Sequence, residues 1–468
     1  MEQIPDNFNG YLKIGNIEFT YNIDKFNVSL LPVHEDQYEK YKVFESIRVA
    51  NRQIPEFFFG IHQGRTIAFL HNGNFNTSIL GIDMSIRFAT PLIIEAVGNT
   101  NDFYNRMSEP WNKFHAITFF GGIINSVFPP NVALEPIDIK ELLNTNGVRQ
   151  IKTKSWDDYQ QSIDFIFDNE KTNMTISVSQ TYEKINNNNF NSYSLGELNS
   201  FIRLSFEHPQ TFENIVKYYN VMKSLLSILT GQNNIFFDVY LSQRNLEGKY
   251  DKTANCKIFD GYENYCKKNC NRVININNIL EYIPKLINQI NKNKVDSLLD
   301  LLPDDNKDIN KISIKNIQDM CTALEVVYSI NKKKRKKDEL IEELKENIND
   351  TIQTFMSNHP EIDVNKETTI FSAFQYLNYT LKEKIFELYK ENCAIIDEII
   401  KKKSLPLMNE TNISDFVKLR NRKTHYGTIS WNDSVNLYPA LLAIVYASFF
   451  RYIGLKEEEL KSILLYIF

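Results

Sequence analysis

Asp415-Phe416-Val417-Lys418-Leu419-Arg420-Asn421-Arg422-Lys423-Thr424-His425-Tyr426-Gly427 is the stretch on which the reading of this chain turns. Its spacing predicts a helix that Ser414 or Asn412 can cap, with Asp415 in the first turn and Gly427 at the end. Ile413, Phe416 and Val417 mark the face to be buried, and the same spacing continues onto Arg420, Asn421, Thr424 and His425. Polar groups therefore stand where the local pattern calls for apolar ones. Left buried and unpaired they would cost several kcal/mol, so they need partners or line a cleft. Asn421 and His425 are one turn apart and share a face, with Arg420 to one side.

These residue types suit RNA cleavage without a metal. A histidine with a pKa near ~6.5 exchanges a proton at neutral pH. An arginine brings permanent charge and a bidentate fork to a phosphate that gathers negative charge in its transition state. RNA supplies its own nucleophile, the 2′-hydroxyl. The bare spacing is common, and its ordinary reading is an ion-paired Arg420 with His425 capping the helix. Asn421 directly after Arg420, the helical frame and the place of the stretch near the C-terminal end of a helical region weigh toward a site.

Working outward, the surrounding chain is helical from Ser313, which can cap a helix striped by Ile317, Met320, Cys321, Leu324, Val327 and Tyr328. Further helices are expected over Leu340 to Met356, Phe371 to Ile400, Val435 to Ile453 and Glu457 to Ile467, with a break at Ser404-Leu405-Pro406. The first half reads as strands. Tyr11 to Ile14 and Ile17 to Tyr21 form a hairpin about Gly15-Asn16, and Phe57 to Ile61 and Thr66 to Leu70 flank His62-Gln63-Gly64-Arg65. Ser85 to Phe88, His115 to Phe120, Thr175 to Ser179 and Ser200 to Phe206 continue the series. Pro209 and Thr211 then open a helix striped by Phe212, Ile215, Val216, Tyr219, Met222 and Leu226, and Ile235 to Leu241 returns as a strand. The interval from Gln243 to Asn277 is polar and aperiodic and reads as a connection or insertion, followed by a weakly amphipathic helix over Ile279 to Leu302.

The expected class is thus α+β and multidomain. An antiparallel, sandwich- or barrel-like β-rich domain over 1–245 is followed by a partly helical connecting region over 246–310 and an all-α bundle over 311–468. With 468 residues, 43% hydrophobic and 24% charged, the chain is of ordinary globular composition. A net charge of −5 excludes a chain coated in nucleic-acid-binding charge, so any RNA site is local. The N-terminal residues lack the blocks of a signal peptide, and the longest apolar run, Leu437 to Ile453, is interrupted by Pro439 and Arg451. Five cysteines without a secretion signal favour reduced thiols and a cytoplasmic location, with no membrane contact.

The segment Leu419 to His425 resembles the R-x4–6-H motif of HEPN domains, in which a polar residue, often Asn, follows the Arg. The helical region resembles that bundle, and Ala323-Leu324-Glu325 is similar to the first helix of ApeA-type HEPN proteins. The first half resembles the ApeA N-terminal domain in its Gly10-Tyr11-Leu12 strand, its paired short strands and its strand–helix–strand unit over 200–241. The resemblance implies a metal-independent endoribonuclease of anti-phage defence by abortive infection, needing no cofactor. Two copies would dimerise to build one composite site. Arg420 would clamp the phosphate, His425 would act as acid or base, Asn421 would orient them, and Glu325 would pair with Arg420. The substrate would be tRNA or another structured RNA, and a phage-derived trigger would act on the N-terminal domain. The alternative is a non-catalytic HEPN module that binds RNA or dimerises, carrying a ligand- or protein-sensing β domain.

Other constellations are weaker. Lys332, Lys333, Lys334, Arg335, Lys336 and Lys337 could hold an RNA backbone or simply be a solvated loop, and Lys401 to Lys403 is similar. Cys256, Cys266 and Cys270 are the one cysteine cluster; zinc needs a fourth ligand, for which His208 or a distant Cys is the candidate, and three scattered thiols are the commoner explanation. His62, Arg65 and His71 surround one hairpin, where turn polarity is the commoner reading. The chain has no phosphate-cradling Gly loop, nucleophile elbow or zincin motif, and no solenoid repeat.

Overall fold

The computed structural model describes residues 4–14, 17–33, 56–71, 73–80, 83–98, 107, 109–135, 153–187, 190–261, 272–305, 308, 311–331, 339–359, 380–426 and 433–468. It divides into two compact units, one of residues 1–230 and 234–288 and the other of 231–233 and 289–468. The first holds an antiparallel sheet and the second is helical, so the α+β expectation is met.

Short loops set the first strands in order. β1 (Asn7–Ile14) and β2 (Ile17–Asp24) pair antiparallel with Ile14 opposite Ile17. β3 (Asn27–Pro32) follows, then β4 (Phe57–His62) and β5 (Arg65–Leu70), paired with His62 opposite Arg65. That turn is two residues long, not four. Gln63 and Gly64 take φ of 48° and 78°, a primed turn whose twist matches the strands. β6 (Asn76–Leu80), β7 (Asp83–Ala89) and β8 (Leu92–Ala96) complete this half.

β9 (Lys113–Phe120), the short helices α1 (Gly122–Val127) and α2 (Trp156–Tyr159), β10 (Gln161–Phe167) and the long strands β11 (Glu170–Asn187) and β12 (Phe190–Thr211) come next. Pro209 does not open a helix. It sits where the pairing of β12 with β9 slips between Ser205 and Gln210, a bulge that tolerates a residue without an N–H. A 3-10 turn over Phe212–Asn214 then leads into α3 (Ile215–Thr230). β13 (Asp238–Arg244) and β14 (Tyr250–Ile258) close the sheet, whose fourteen strands run β10-β11-β12-β9-β13-β14-β8-β5-β4-β1-β2-β3-β7-β6. The expected connection from residue 246 is corrected here. Residues 250–258 form a strand hydrogen-bonded to β13 on one side and β8 on the other.

The N-terminal strands coil tightly. Phe58 of β4 and Phe88 of β7 are four strand steps apart, about 19 Å in a flat sheet at ~4.8 Å per step, yet their rings lie 5.5 Å apart. Phe8, Phe19, Tyr21, Phe69 and Ile93 fill the enclosed core. Tyr21 reaches across it to donate to Ile61 O at 3.1 Å, in the space left by Gly10, where a Cβ would meet that oxygen at 2.2 Å and the Tyr21 hydroxyl at 2.3 Å. Around β9 to β13 the strand alternation separates two faces. Ile117, Phe119, Ile176, Ile202 and Leu204 are buried, and on this apolar side α3 sets Tyr218 at 4.7 Å from Phe206 and Tyr219 at 4.8 Å from Phe237.

The expected helix over 279–302 is three pieces: a 3-10 stretch over Ile276–Tyr282, α4 (Ile283–Asn291) and α5 (Asp296–Leu299), of which residues up to 288 belong to the first unit and those from 289 to the second. Asn293, at φ 54°, lies between the last two. The main helices are α6 (Ile314–Ile330), α7 (Glu339–Asn358), α8 (Leu381–Lys403), α9 (Glu410–Tyr426), α10 (Tyr438–Ile453) and α11 (Glu457–Ile467). Ser313 caps α6 in a capping box with Asn316, and Thr380 does the same for α8 with Glu383. The expected start of α8 at Phe371 lies outside the described residues. α10 is apolar on all sides and is the central helix, with Leu441, Ile444, Val445 and Phe449 buried. Among the described residues no helix is long and apolar enough to cross a membrane.

Candidate active site

α9 carries positions 420, 421 and 425 on one helix. Its cap is neither Ser414 nor Asn412 but Asn409, whose side chain accepts from the Asn412 N–H at 2.8 Å, while the Asn412 amide donates to Leu407 O at 2.8 Å. Glu410 is the acid of the first turn, and Asp415 instead holds Lys418 at 2.8 Å. The buried stripe is Ile413, Phe416 and Leu419, each at most 1% exposed, and Val417 is half-buried beside it. Arg420 is half-buried along that stripe. The side chains of Asn421 and His425, and all of Gly427, lie outside the described residues.

Arg420 and Glu325 act on one buried atom. Cys321 of α6 is fully buried, and burial pushes its thiol up to about 12; the charge of Arg420 pulls it down and that of Glu325 pushes it up. A cation of α9 and an acid of α6 are thus within electrostatic reach of the same sulfur. Glu325 also takes Lys384 of α8 at 3.6 Å, a partner that the sequence reading did not foresee.

A second polar cluster lies among α6, α8 and α10. Asn392 of α8 is 2% exposed; its amide donates to Leu388 O at 2.8 Å and Ser448 Oγ at 3.4 Å, and its oxygen accepts from Arg451 at 3.3 Å. Asn331 donates to Ser448 O at 3.1 Å, which ties α6, α8 and α10 together. The signal was present in the sequence, an Asn interrupting the apolar stripe of Ile385, Leu388, Ile395 and Ile399.

Asp319 of α6 has a buried Oδ2 without a hydrogen-bond partner among the described residues. Burial raises its carboxyl above the ordinary range and Asp300 adds to this, while Lys315 opposes. A carboxyl whose folded pKa is raised opposes folding while it is ionised, and the penalty fades as pH falls through that folded value. Asp319→Asn is therefore expected to raise the melting temperature at pH 7, with a gain that shrinks toward pH 4. Melts at both pH values check this; a gain that grew on acidification would contradict it.

The remaining candidates fall apart spatially or lie elsewhere. The run from Lys332 to Lys337, and Cys266 and Cys270, are outside the described residues, whereas Cys256 sits in β14. Among the described residues no group of three or more His, Cys, Asp or Glu is placed to hold a metal. His208 faces Glu170 at 3.2 Å. His62 is buried against Phe8 with Nδ1 at 2.8 Å from Asn9 O, Arg65 approaches Glu95 at 3.8 Å, and His71 stacks on Phe58 at 4.6 Å. Lys401, Lys402 and Lys403 form the last turn of α8, where their charge suits the helix dipole. No family model matches the chain, and neither a curated protein nor a solved structure matches it.

Proposed function

We propose that this chain is a metal-independent endoribonuclease of the HEPN kind, acting in anti-phage defence by abortive infection, with its site assembled from two copies. One observation carries the reading: positions 420, 421 and 425 all fall within the single helix α9, with Arg420 half-buried and, like Glu325, within electrostatic reach of Cys321. Helical geometry sets positions 420 and 425 about 140° apart around the axis. The two positions therefore fall on different sides of one helix, and two copies of α9 meeting across a dimer axis would bring position 420 of one copy and position 425 of the other toward a shared cleft. The exposed Leu340, Leu344 and Phe355 of α7 supply apolar surface of the kind a dimer buries.

In that site His425 takes the proton of the 2′-hydroxyl, and the freed oxygen attacks the adjacent phosphorus. The bond to the 5′-oxygen breaks, and the second copy's His425 returns a proton to it. Arg420 holds the charge on the non-bridging oxygens, and Asn421 orients the pair. The products are a 2′,3′-cyclic phosphate and a 5′-hydroxyl. The substrate class is structured cellular RNA such as tRNA, and the first unit receives the trigger. The test is to incubate the full chain with RNA in EDTA and analyse the ends. Cleavage that survives chelation and leaves cyclic phosphates is expected; cleavage abolished by EDTA, or 5′-phosphate ends, would overturn the proposal.

A further inference from the structure

The polar face of the sheet in the first unit carries a groove of about 800 Å³ across β10, β11 and β12, with Arg244 of β13 and Tyr250 of β14 at its rim. Arg203 of β12 stands in it. The register sets Arg203 opposite Thr175 of β11 and Thr118 of β9, and its Nε donates to Thr118 Oγ1 at 3.2 Å. Its guanidinium lies 5.3 Å from the Phe201 ring centre and 5.7 Å from that of Tyr250. Arg244 lies over the same tyrosine at 5.6 Å, donating to its hydroxyl and to Phe206 O at 3.3 and 3.2 Å. Trp156 borders the groove, 45% exposed, its ring 6.3 Å from Phe201 and 31° from parallel.

The acids of the groove are engaged by other groove residues. Asp164 accepts from Asn173 at 2.7 Å, and Glu207 takes Lys171 at 3.4 Å. No carboxylate pairs with Arg203 among the described residues. A half-buried guanidinium held by aromatic faces, with no acid beside it, keeps terminal donors that suit an anion. Aromatic rings interleaved with arginines on an open sheet face are the chemistry that stacks bases and holds phosphates.

We propose that this groove binds a nucleotide, its phosphate on the terminal nitrogens of Arg203 and its base stacked on Trp156. The assignment is independent of the nuclease reading. Such a nucleotide belongs either to a single strand of RNA or to a free mononucleotide. Both share the chemistry, and the volume is within the ~300–1,000 Å³ of small-ligand sites.

The test is fluorescence anisotropy of the full chain with a labelled, non-cleavable 2′-O-methyl single strand, with AMP and inorganic phosphate as competitors. Arg203→Gln is expected to weaken binding about tenfold or more and to flatten its salt dependence. Trp156→Ala is expected to weaken it about fivefold or more. Weak competition by AMP identifies a strand site, and competition equal to that of the oligonucleotide identifies a mononucleotide site. Absence of binding both by the strand and, in direct titration calorimetry, by AMP would overturn the proposal. So would unchanged affinity in either folded variant, or phosphate competing as well as AMP. Thermal melts establish folding; if Arg203→Gln is unfolded, the exposed Trp156→Ala decides.

Discussion

His425→Ala is expected to lower RNA cleavage by about 10²–10⁴-fold, the range of a lost proton-transfer group, with the melting temperature unchanged. Arg420→Ala is expected to lower it by about 10²–10³-fold, the cost of removing a charge aimed at the developing oxyanion. The two differ in what a conservative change restores. Lysine at position 420 keeps the charge but loses the fork, so Arg420→Lys should recover part of the rate. Arg420 is also half-buried near the Cys321 thiol, so the lysine variant separates charge at the site from support of the fold. Mixing His425→Ala with Arg420→Ala protein should restore part of the activity, because one composite site then retains an intact member of each kind. The assay is gel-resolved cleavage in EDTA. Wild-type rates in both alanine variants would remove the catalytic role of α9.

Phe416→Ala is expected to cost about 3–5 kcal/mol of stability, as large aromatic truncations in cores do. Phe416 is 0% exposed, lies one turn before Arg420 and anchors α9 between Ile413 and Leu419. The matched control is Tyr466→Ala on α11, an aromatic residue 64% exposed, for which less than about 0.5 kcal/mol is expected. Urea denaturation of both variants checks the difference. A midpoint for Phe416→Ala equal to that of the control would mean that α9 is not held by its apolar stripe.

Much of the architecture was legible because local signals agreed with the final packing. The Ile14 to Ile17 hairpin, the Ser313 cap and the span of Glu457–Ile467 needed only turn chemistry, a capping side chain and a 3.6-residue stripe. β14 was not legible. Tyr250, Asp251, Lys252, Asn255 and Lys257 give no clean alternation, because the strand buries only Thr253 and Ala254 while Lys252 sets its ammonium 5.0 Å from the Tyr240 ring centre. Pro209 reads as a helix opener unless the bulge is known. In the candidate site the residue types were visible but their partnerships were not. Lys384 meets Glu325 only because α8 and α6 pack together, and no spacing in the chain announces that.

The position of β14 bears on how the molecule is made. Ala254 and Cys256 pair with Ala96 and Ile94 on one side and with Leu241 and Val239 on the other, so the edges of β8 and β13 remain open until residues 250–258 have left the ribosome. Pairings this distant in sequence close slowly, and the unfinished sheet meanwhile offers two unpaired edges of the kind that template aggregation. A fragment cut at residue 245 would keep both edges permanently, whereas one extended through residue 288 carries the strand that seals them.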